Sequence, residues 1–274
     1  MTKHTTAHYE NNPFYIGLRG IQLLFKNAQS IGIFAAVLVG IGVLLNTISN
    51  IIDVVNQMNE PTSSASDEFI ATGSSPDLGI FFIVAGVILL VTFIIMLLCL
   101  IPYGVLEYSA ARLALGEKVT LKQAFSATLR NFLGYIWVYI IVMVKLFLWT
   151  LLLIVPGIIM SIRYTLAGTV FFAENKQGNA AVKRSAELTK GAWFTTFAGH
   201  GLWNLITLGQ ITLIITPSAN AILYRQLRDV TDSGVKKPNA HWLSWLTFFG
   251  PIITLLLILG SIVIITLLLW LTLQ

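Results

Sequence analysis

The sequence predicts an all-α, polytopic transmembrane helical bundle of about seven spans, with three amphipathic helices at the cytoplasmic interface. Three observations predict it. The first is composition: 274 residues, 56% hydrophobic and 11% charged, with a mean hydropathy of +0.80, where an ordinary globular chain carries roughly 25% charged residues. The second is the set of apolar runs at roughly 30–55, 78–103, 132–155, 157–173, 192–212, 214–227 and 245–272, since about 20 apolar residues cross the hydrocarbon core of a bilayer. The third is the basic residues between the runs. The intervening segments carry 3, 0, 4, 0, 4, 0, 4 and 0 Lys or Arg in order, which is 15 of the 17 present. Cytoplasmic loops hold the excess of these residues, so the N-terminus is expected inside and the C-terminus outside. Counting the short 214–227 run as re-entrant reduces seven crossings to six.

Taken in order, residues 1–27 are polar to amphipathic, and the first apolar run begins too late and is too long for a cleaved signal. Phe14, Leu18, Ile21 and Phe25 form one helical stripe with Arg19, Gln22 and Lys26 off it, the pattern of a helix lying in the interface. It ends at Lys26-Asn27. The first span carries Asp53 near its outer end and the small residues Gly32, Ala36 and Gly40 at a spacing that permits close helix approach. The loop that follows has no basic residue and is acidic through Glu60, Asp67, Glu68 and Asp77. The second span holds the single cysteine, Cys99, so no intramolecular disulfide forms; Pro102 and Glu107 follow it.

A second amphipathic helix begins at Thr120, with Gln123 in the capping-box position, and ends at Arg130-Asn131. The third span places Lys145 near its middle. Pro156-Gly157 marks an outer turn, and the fourth span carries Arg163 about six residues inside it and Glu174 at its inner end. A third amphipathic helix runs from Asn179 to Lys190-Gly191. The fifth span carries His200, Asn204 and Gln210, Pro217 marks another outer turn, and 245–272 closes the chain. A basic residue suits the carbonyl end of a helix, and Asn or Gly readily takes the left-handed cap. With Pro76, Pro156 and Pro217 near the outer ends, where a missing N–H costs little, the chain reads as one unit repeated three times: interfacial helix, cap, span, outer turn, proline, span. Trp137, Trp193, Trp242 and Trp245 mark the inner interface and Trp149 and Trp270 the outer one; Trp203 alone sits mid-span. The whole is one integral membrane domain over 1–274, comprising a cytoplasmic tail with interfacial helix (1–29) and the bundle (30–272).

Residues 156–194 carry a resemblance. Pro156-Gly157 is followed by an apolar stretch with Arg163, by Phe171-Phe172-Ala173-Glu174, and then by Ala180-Ala181-Val182-Lys183-Arg184-Ser185-Ala186-Glu187-Leu188-Thr189-Lys190-Gly191-Ala192-Trp193. This resembles a group of bacterial integral membrane proteins that includes the membrane domain of some glycerophosphoryl diester phosphodiesterases and related stand-alone proteins of unassigned function. The resemblance implies an α-helical module in a bacterial cytoplasmic membrane and no activity. The family's catalytic domain is a soluble barrel with paired carboxylates and histidines, and this sequence has nothing that builds it.

The candidate intramembrane polar site is Lys145, Arg163, Asp53, His200 and Asn204. An uncompensated charge in mid-bilayer is costly, so Lys145 either contacts an anion in a polar cavity, snorkels, or is neutral. Arg163 and Asp53 lie at similar depth and either pair as a lock or leave Arg163 to hold a phosphate. His200 and Asn204 share a helix face and either line a pathway or bond between helices. Glu107 and Glu174 are expected to meet water or a neighbouring lysine. Candidate contacts to anionic headgroups are Lys183, Arg184, Lys190, Arg130 and Lys26. No catalytic, cofactor or metal site is expected, because no G-x-x-x-x-G-K-[ST], G-x-S-x-G, H-E-x-x-H or cysteine cluster occurs, and His4, His8 and His241 lack ligand spacing. The formal charge of +5 lies on the cytoplasmic side and suits anionic lipid rather than nucleic acid. The expected function is a non-enzymatic membrane module that organises or binds lipids, partner proteins or a second copy of itself. The alternative is a transporter of a small anionic or amphiphilic solute. A membrane-embedded lipid enzyme would need a polar cluster at one depth.

Overall fold

A computed structural model describes residues 9–27, 29–59, 78–207, 209 and 211–272. The acidic loop residues Glu60, Asp67, Glu68 and Asp77, together with Lys3, His4, His8, Pro76 and Gln210, lie outside the described residues. Those described form eleven helices and no strand. They are α1 (Pro13–Asn27), α2 (Gln29–Asn59), α3 (Leu78–Ala114), α4 (Leu121–Arg130), α5 (Phe132–Leu152), α6 (Ile154–Tyr164), α7 (Ala167–Glu174), α8 (Gly178–Thr189), α9 (Trp193–Ile206), α10 (Thr212–Asp232) and α11 (Leu243–Thr272).

Among the described residues, three segments are long and apolar enough to cross a membrane: Ser30–Asp53, Phe132–Leu152 and Ile154–Glu174. The third is two helices, α6 and α7, interrupted at Thr165 and Leu166. The fifth and sixth apolar runs take a different form from the one expected. α9 has 14 residues, about 21 Å at 1.5 Å per residue, short of a hydrocarbon core of about 30 Å. It turns at Gly209, whose φ of 78° suits glycine, and packs against α10 as a helical hairpin.

The protein-facing core lies toward the ends of the helices that carry the basic residues. α10, residues 100–114 of α3, α1, α7 and α8 meet there, and Ile16, Leu24, Leu106, Tyr135, Leu223 and Leu227 are fully buried. The long helices leave apolar faces bare, including Ile41 and Leu44 on α2, Phe147 and Leu151 on α5, and Leu255 and Leu256 on α11. A water-soluble monomer rarely exposes contiguous apolar surface of this kind. Lipid-facing helices do, because all their backbone polar groups bond within the helix.

Local sequence explains several joints. Thr120 accepts from the Gln123 N–H and receives the Gln123 side chain on its own N–H, completing the capping box. Gly191 takes the left-handed conformation expected of it, with φ 77°. Asn131 does not: at φ −102° it is not left-handed, and its side-chain amide donates to the Ala127 carbonyl at 2.8 Å. Pro217 lies in the second turn of α10 rather than at its outer end, where it removes one intrahelical hydrogen bond.

α1 is docked more deeply than an interfacial stripe requires. Ile16, Gly20 and Leu24 face α10, α9 and α3. A Cβ on Gly20 would come within 2.6 Å of the Ser218 carbonyl carbon, so only glycine lets the two backbones approach. Trp203 covers Gly17, stacks on Phe14 at 5.0 Å and donates to the Phe14 carbonyl at 2.9 Å. Phe14 and Phe25 remain exposed on the outer flank. Of the Gly32/Ala36/Gly40 stripe, only the first meets another helix among the described residues: Gly32 packs on the Phe25 ring of α1, and Gly40 faces open space.

Candidate functional site

The break between α6 and α7 frees backbone groups, and side chains from two other helices satisfy them. Ser185 of α8 donates to the Arg163 carbonyl at 2.7 Å and accepts the Leu166 N–H at 3.2 Å. Thr189, one turn on, donates to the same carbonyl at 3.2 Å. Asn220 of α10 donates to the Thr165 carbonyl at 3.1 Å. Its Oδ1 lies 2.6 Å from His200 Nε2, and His200 Nδ1 lies 2.7 Å from the Thr196 carbonyl. A broken helix at membrane depth is tolerated where protein re-satisfies its backbone, and here α8 and α10 do so, with His200 of α9 orienting Asn220.

A second buried polar centre surrounds Glu107, which is fully buried. Its Oε2 accepts from Tyr135 at 2.6 Å and Tyr139 at 3.0 Å, and its Oε1 accepts from Thr169 at 3.0 Å. Gly168 packs directly on the carboxyl; a Cβ there would overlap Oε2. Glu107 therefore meets neither water nor lysine, contrary to expectation, and joins α3, α5 and α7. Glu174 does meet a lysine, Lys176 at 2.7 Å, and also Arg184 and the Tyr224 hydroxyl.

The five candidate intramembrane residues do not converge. Lys145 donates to Asn179 Oδ1 at 2.6 Å and lies over the Tyr164 ring at 5.7 Å, so the first turn of α8 supplies the polar partner that mid-span position needs. Arg163 donates to the Ala186 carbonyl at 3.1 Å, two helical turns further along α8. The Arg163–Asp53 lock is absent among the described residues, and Asp53 is exposed. His200 and Asn204 both turn to α10, Asn204 accepting from the Thr212 hydroxyl at 2.8 Å, so this face bonds the hairpin.

The five candidate headgroup contacts divide differently. Arg184 is engaged: it pairs with Glu174 at 3.2 Å, Glu187 at 3.6 Å and Asp232 at 2.7 Å, bolting α7, α8 and α10 together. Lys237 is engaged too, donating to the Leu188 and Lys190 carbonyls at 2.6 and 2.7 Å, where it caps α8. Lys26, Arg130, Lys183 and Lys190 are exposed and make no ion pair among the described residues, and the same holds for Lys118, Lys122, Arg225 and Lys236. Exposed aromatic residues punctuate this surface: Phe125, Trp137, Trp193, Trp242 and Trp245. Lys118 and Lys122 gain importance only in three dimensions, because sequence alone counts them as ordinary members of a basic loop.

No family model, curated protein or solved structure matches this chain.

Proposed function

We propose that this chain is a multi-pass membrane protein with its N-terminus inside and its C-terminus outside, and that it is a non-enzymatic module binding the anionic leaflet on its basic side. The observation that carries this reading is the set of exposed cations, from Lys26 to Lys236, that have no carboxylate partner among the described residues, beside exposed aromatic residues. Near an anionic surface each Lys or Arg contributes about 1 kcal/mol, and interfacial aromatic rings fix depth. Seven crossings require α9 and α10 to span a locally thinned bilayer; five follow if that hairpin enters and leaves on the same side.

The transport reading draws on the α6–α7 break, since broken helices do form solute sites. Here Arg163, Thr165 and Leu166 direct their freed backbone groups to Ser185, Thr189 and Asn220, which favours a closed structural joint.

The test is thermal unfolding of the protein in nanodiscs of phosphatidylcholine with increasing phosphatidylglycerol. The reading expects Tm to rise with anionic lipid and the gain to shrink at about 1 M salt, where the Debye length is about 3 Å. A Tm indifferent to lipid charge contradicts it.

A further inference from the structure

α4 carries two adjacent stripes, each spaced i, i+4, i+8. One is Leu121, Phe125 and Leu129; the other is Lys122, Ser126 and Arg130. Phe125 and Leu129 are 44% and 45% exposed, although Ala124 and Thr128 on the same helix are buried. The apolar stripe and Phe34 of α2 line an open groove of about 700 Å³. The polar stripe lines a second groove of about 490 Å³ with Lys118, Gln123 and Tyr108. Lys122 and Ser126 line both, so one helix separates an apolar trough from a cationic one by the width of its own side chains.

Charge within the second groove is one-sided. Its single carboxylate, Glu117, is held by Arg112 at 3.2 Å. Lys118, Lys122 and Arg130 make no ion pair among the described residues. Gly116, left-handed at φ 85°, turns the chain after α3 so that Lys118 arrives beside α4. Three cations and a hydroxyl match the acceptor oxygens of a phosphate, for which arginine offers paired donors and lysine a point charge.

We propose that α4 binds one anionic phospholipid, its phosphate on Lys118, Lys122, Ser126 and Arg130 and its proximal acyl chain along Phe34, Leu121, Phe125 and Leu129. The occupant is a lipid because the open groove beside the cations is apolar and reaches Phe34 of α2, a helix that also leaves Ile33 and Val37 exposed. A water-soluble phosphate ester would use only half of the site. This inference rests on the anionic-leaflet reading above and narrows it to one site.

The experiment uses the full chain in neutral detergent, titrated with a fluorescent phosphatidylglycerol and, in parallel, its phosphatidylcholine counterpart. Wild type is expected to bind phosphatidylglycerol more tightly. Affinity falls about tenfold or more in K122Q/R130Q and several-fold in F125Q, and the K122Q/R130Q loss exceeds that in K183Q/K190Q, which removes two other exposed cations. Thermal unfolding of each variant verifies the fold; a variant that unfolds early is replaced by K118Q/K122Q, which leaves α4's C-terminal cap intact. Unchanged affinity in K122Q/R130Q with loss in K183Q/K190Q overturns the α4 site and leaves the broader reading standing. Equal affinity of wild type for the two lipids overturns both. Glycerol phosphate that displaces the lipid at an affinity equal to the lipid's own overturns the acyl half of the site.

Discussion

Glu107 and Gly168 make a sharp test of how the helices are joined. In Gly168→Ala the new methyl would overlap Oε2 of Glu107 and sit 2.6 Å from Cδ and 2.7 Å from Oε1. The carboxyl cannot move aside without lengthening its bonds from Tyr135, Tyr139 and Thr169, now 2.6 to 3.0 Å. Overpacking of this kind costs about 1–3 kcal/mol, and a lost hydrogen bond adds about 1 kcal/mol. The expected cost is therefore about 2–4 kcal/mol, or a Tm lower by about 5–15 °C for a chain of this size. Glu107→Ala alone leaves three hydroxyls without their acceptor and is also destabilising. In the double variant the methyl added at position 168 enters the space the carboxyl vacates, so the two costs combine to less than their sum by about 1 kcal/mol or more. Unfolding followed by tryptophan fluorescence in detergent measures all three variants. A Gly168→Ala protein as stable as wild type, or strictly additive costs, refutes the packing described for α3, α5 and α7.

Other expectations follow from the same contacts. Gly20→Ala places a Cβ within 2.7 Å of the Ser218 carbonyl oxygen and lowers stability by about 1–3 kcal/mol in the same unfolding assay, through separation of α1 from α10. Ser185→Ala removes the partner of the Leu166 N–H and one of two donors to the Arg163 carbonyl, at about 1–3 kcal/mol; Ser185→Thr, which keeps the hydroxyl, recovers part of it. Burial, aided by the Arg184 and Lys190 charges, holds the Lys237 ammonium below the ordinary lysine range although two carbonyls accept from it. The unfolded chain then keeps that proton to higher pH than the folded one, so stability rises with pH between the two values, and Lys237→Met flattens that rise in a pH series of Tm. For topology, Ser126→Cys in a Cys99→Ser background is labelled by an impermeant maleimide in inside-out vesicles and not in intact cells; labelling of intact cells reverses the orientation.

Local chemistry was legible before the fold. The Thr120–Gln123 box closes within four residues, and Gly191 needs only its own φ, so both follow from neighbouring residues alone. The helix boundaries of α1, α4 and α8 likewise fall near the expected caps. What sequence could not supply was distance along the chain. Glu107 finds its partners 28, 32 and 62 residues away, and Arg163 finds a carbonyl 23 residues on where Asp53 had been the expected partner. Arg184 reads as a headgroup contact although Glu187 and Glu174 lie nearby in sequence; its shortest ion pair, to Asp232, comes from 48 residues away. Two signals were available and weak. Ser185 and Thr189 stand on the Ala181, Val182 and Leu188 face of α8, where small polar groups on an apolar face mark interhelical bonding. Gly17 and Gly20 inside α1 mark close approach of another helix. Helix length was hidden for a related reason: composition across 192–227 is apolar throughout, but α9 ends at Ile206 and the chain turns at Gly209 into α10.

Native mass spectrometry of the protein released from bilayers of equal phosphatidylglycerol and phosphatidylcholine addresses the central claim most directly. If the unpaired cations of the basic face meet an anionic leaflet, the retained lipid is predominantly phosphatidylglycerol, and replacing Lys118, Lys122 and Arg130 with glutamine abolishes the tightest-held copy. Retention of the two lipids in their bulk ratio, unchanged by that replacement, contradicts the account.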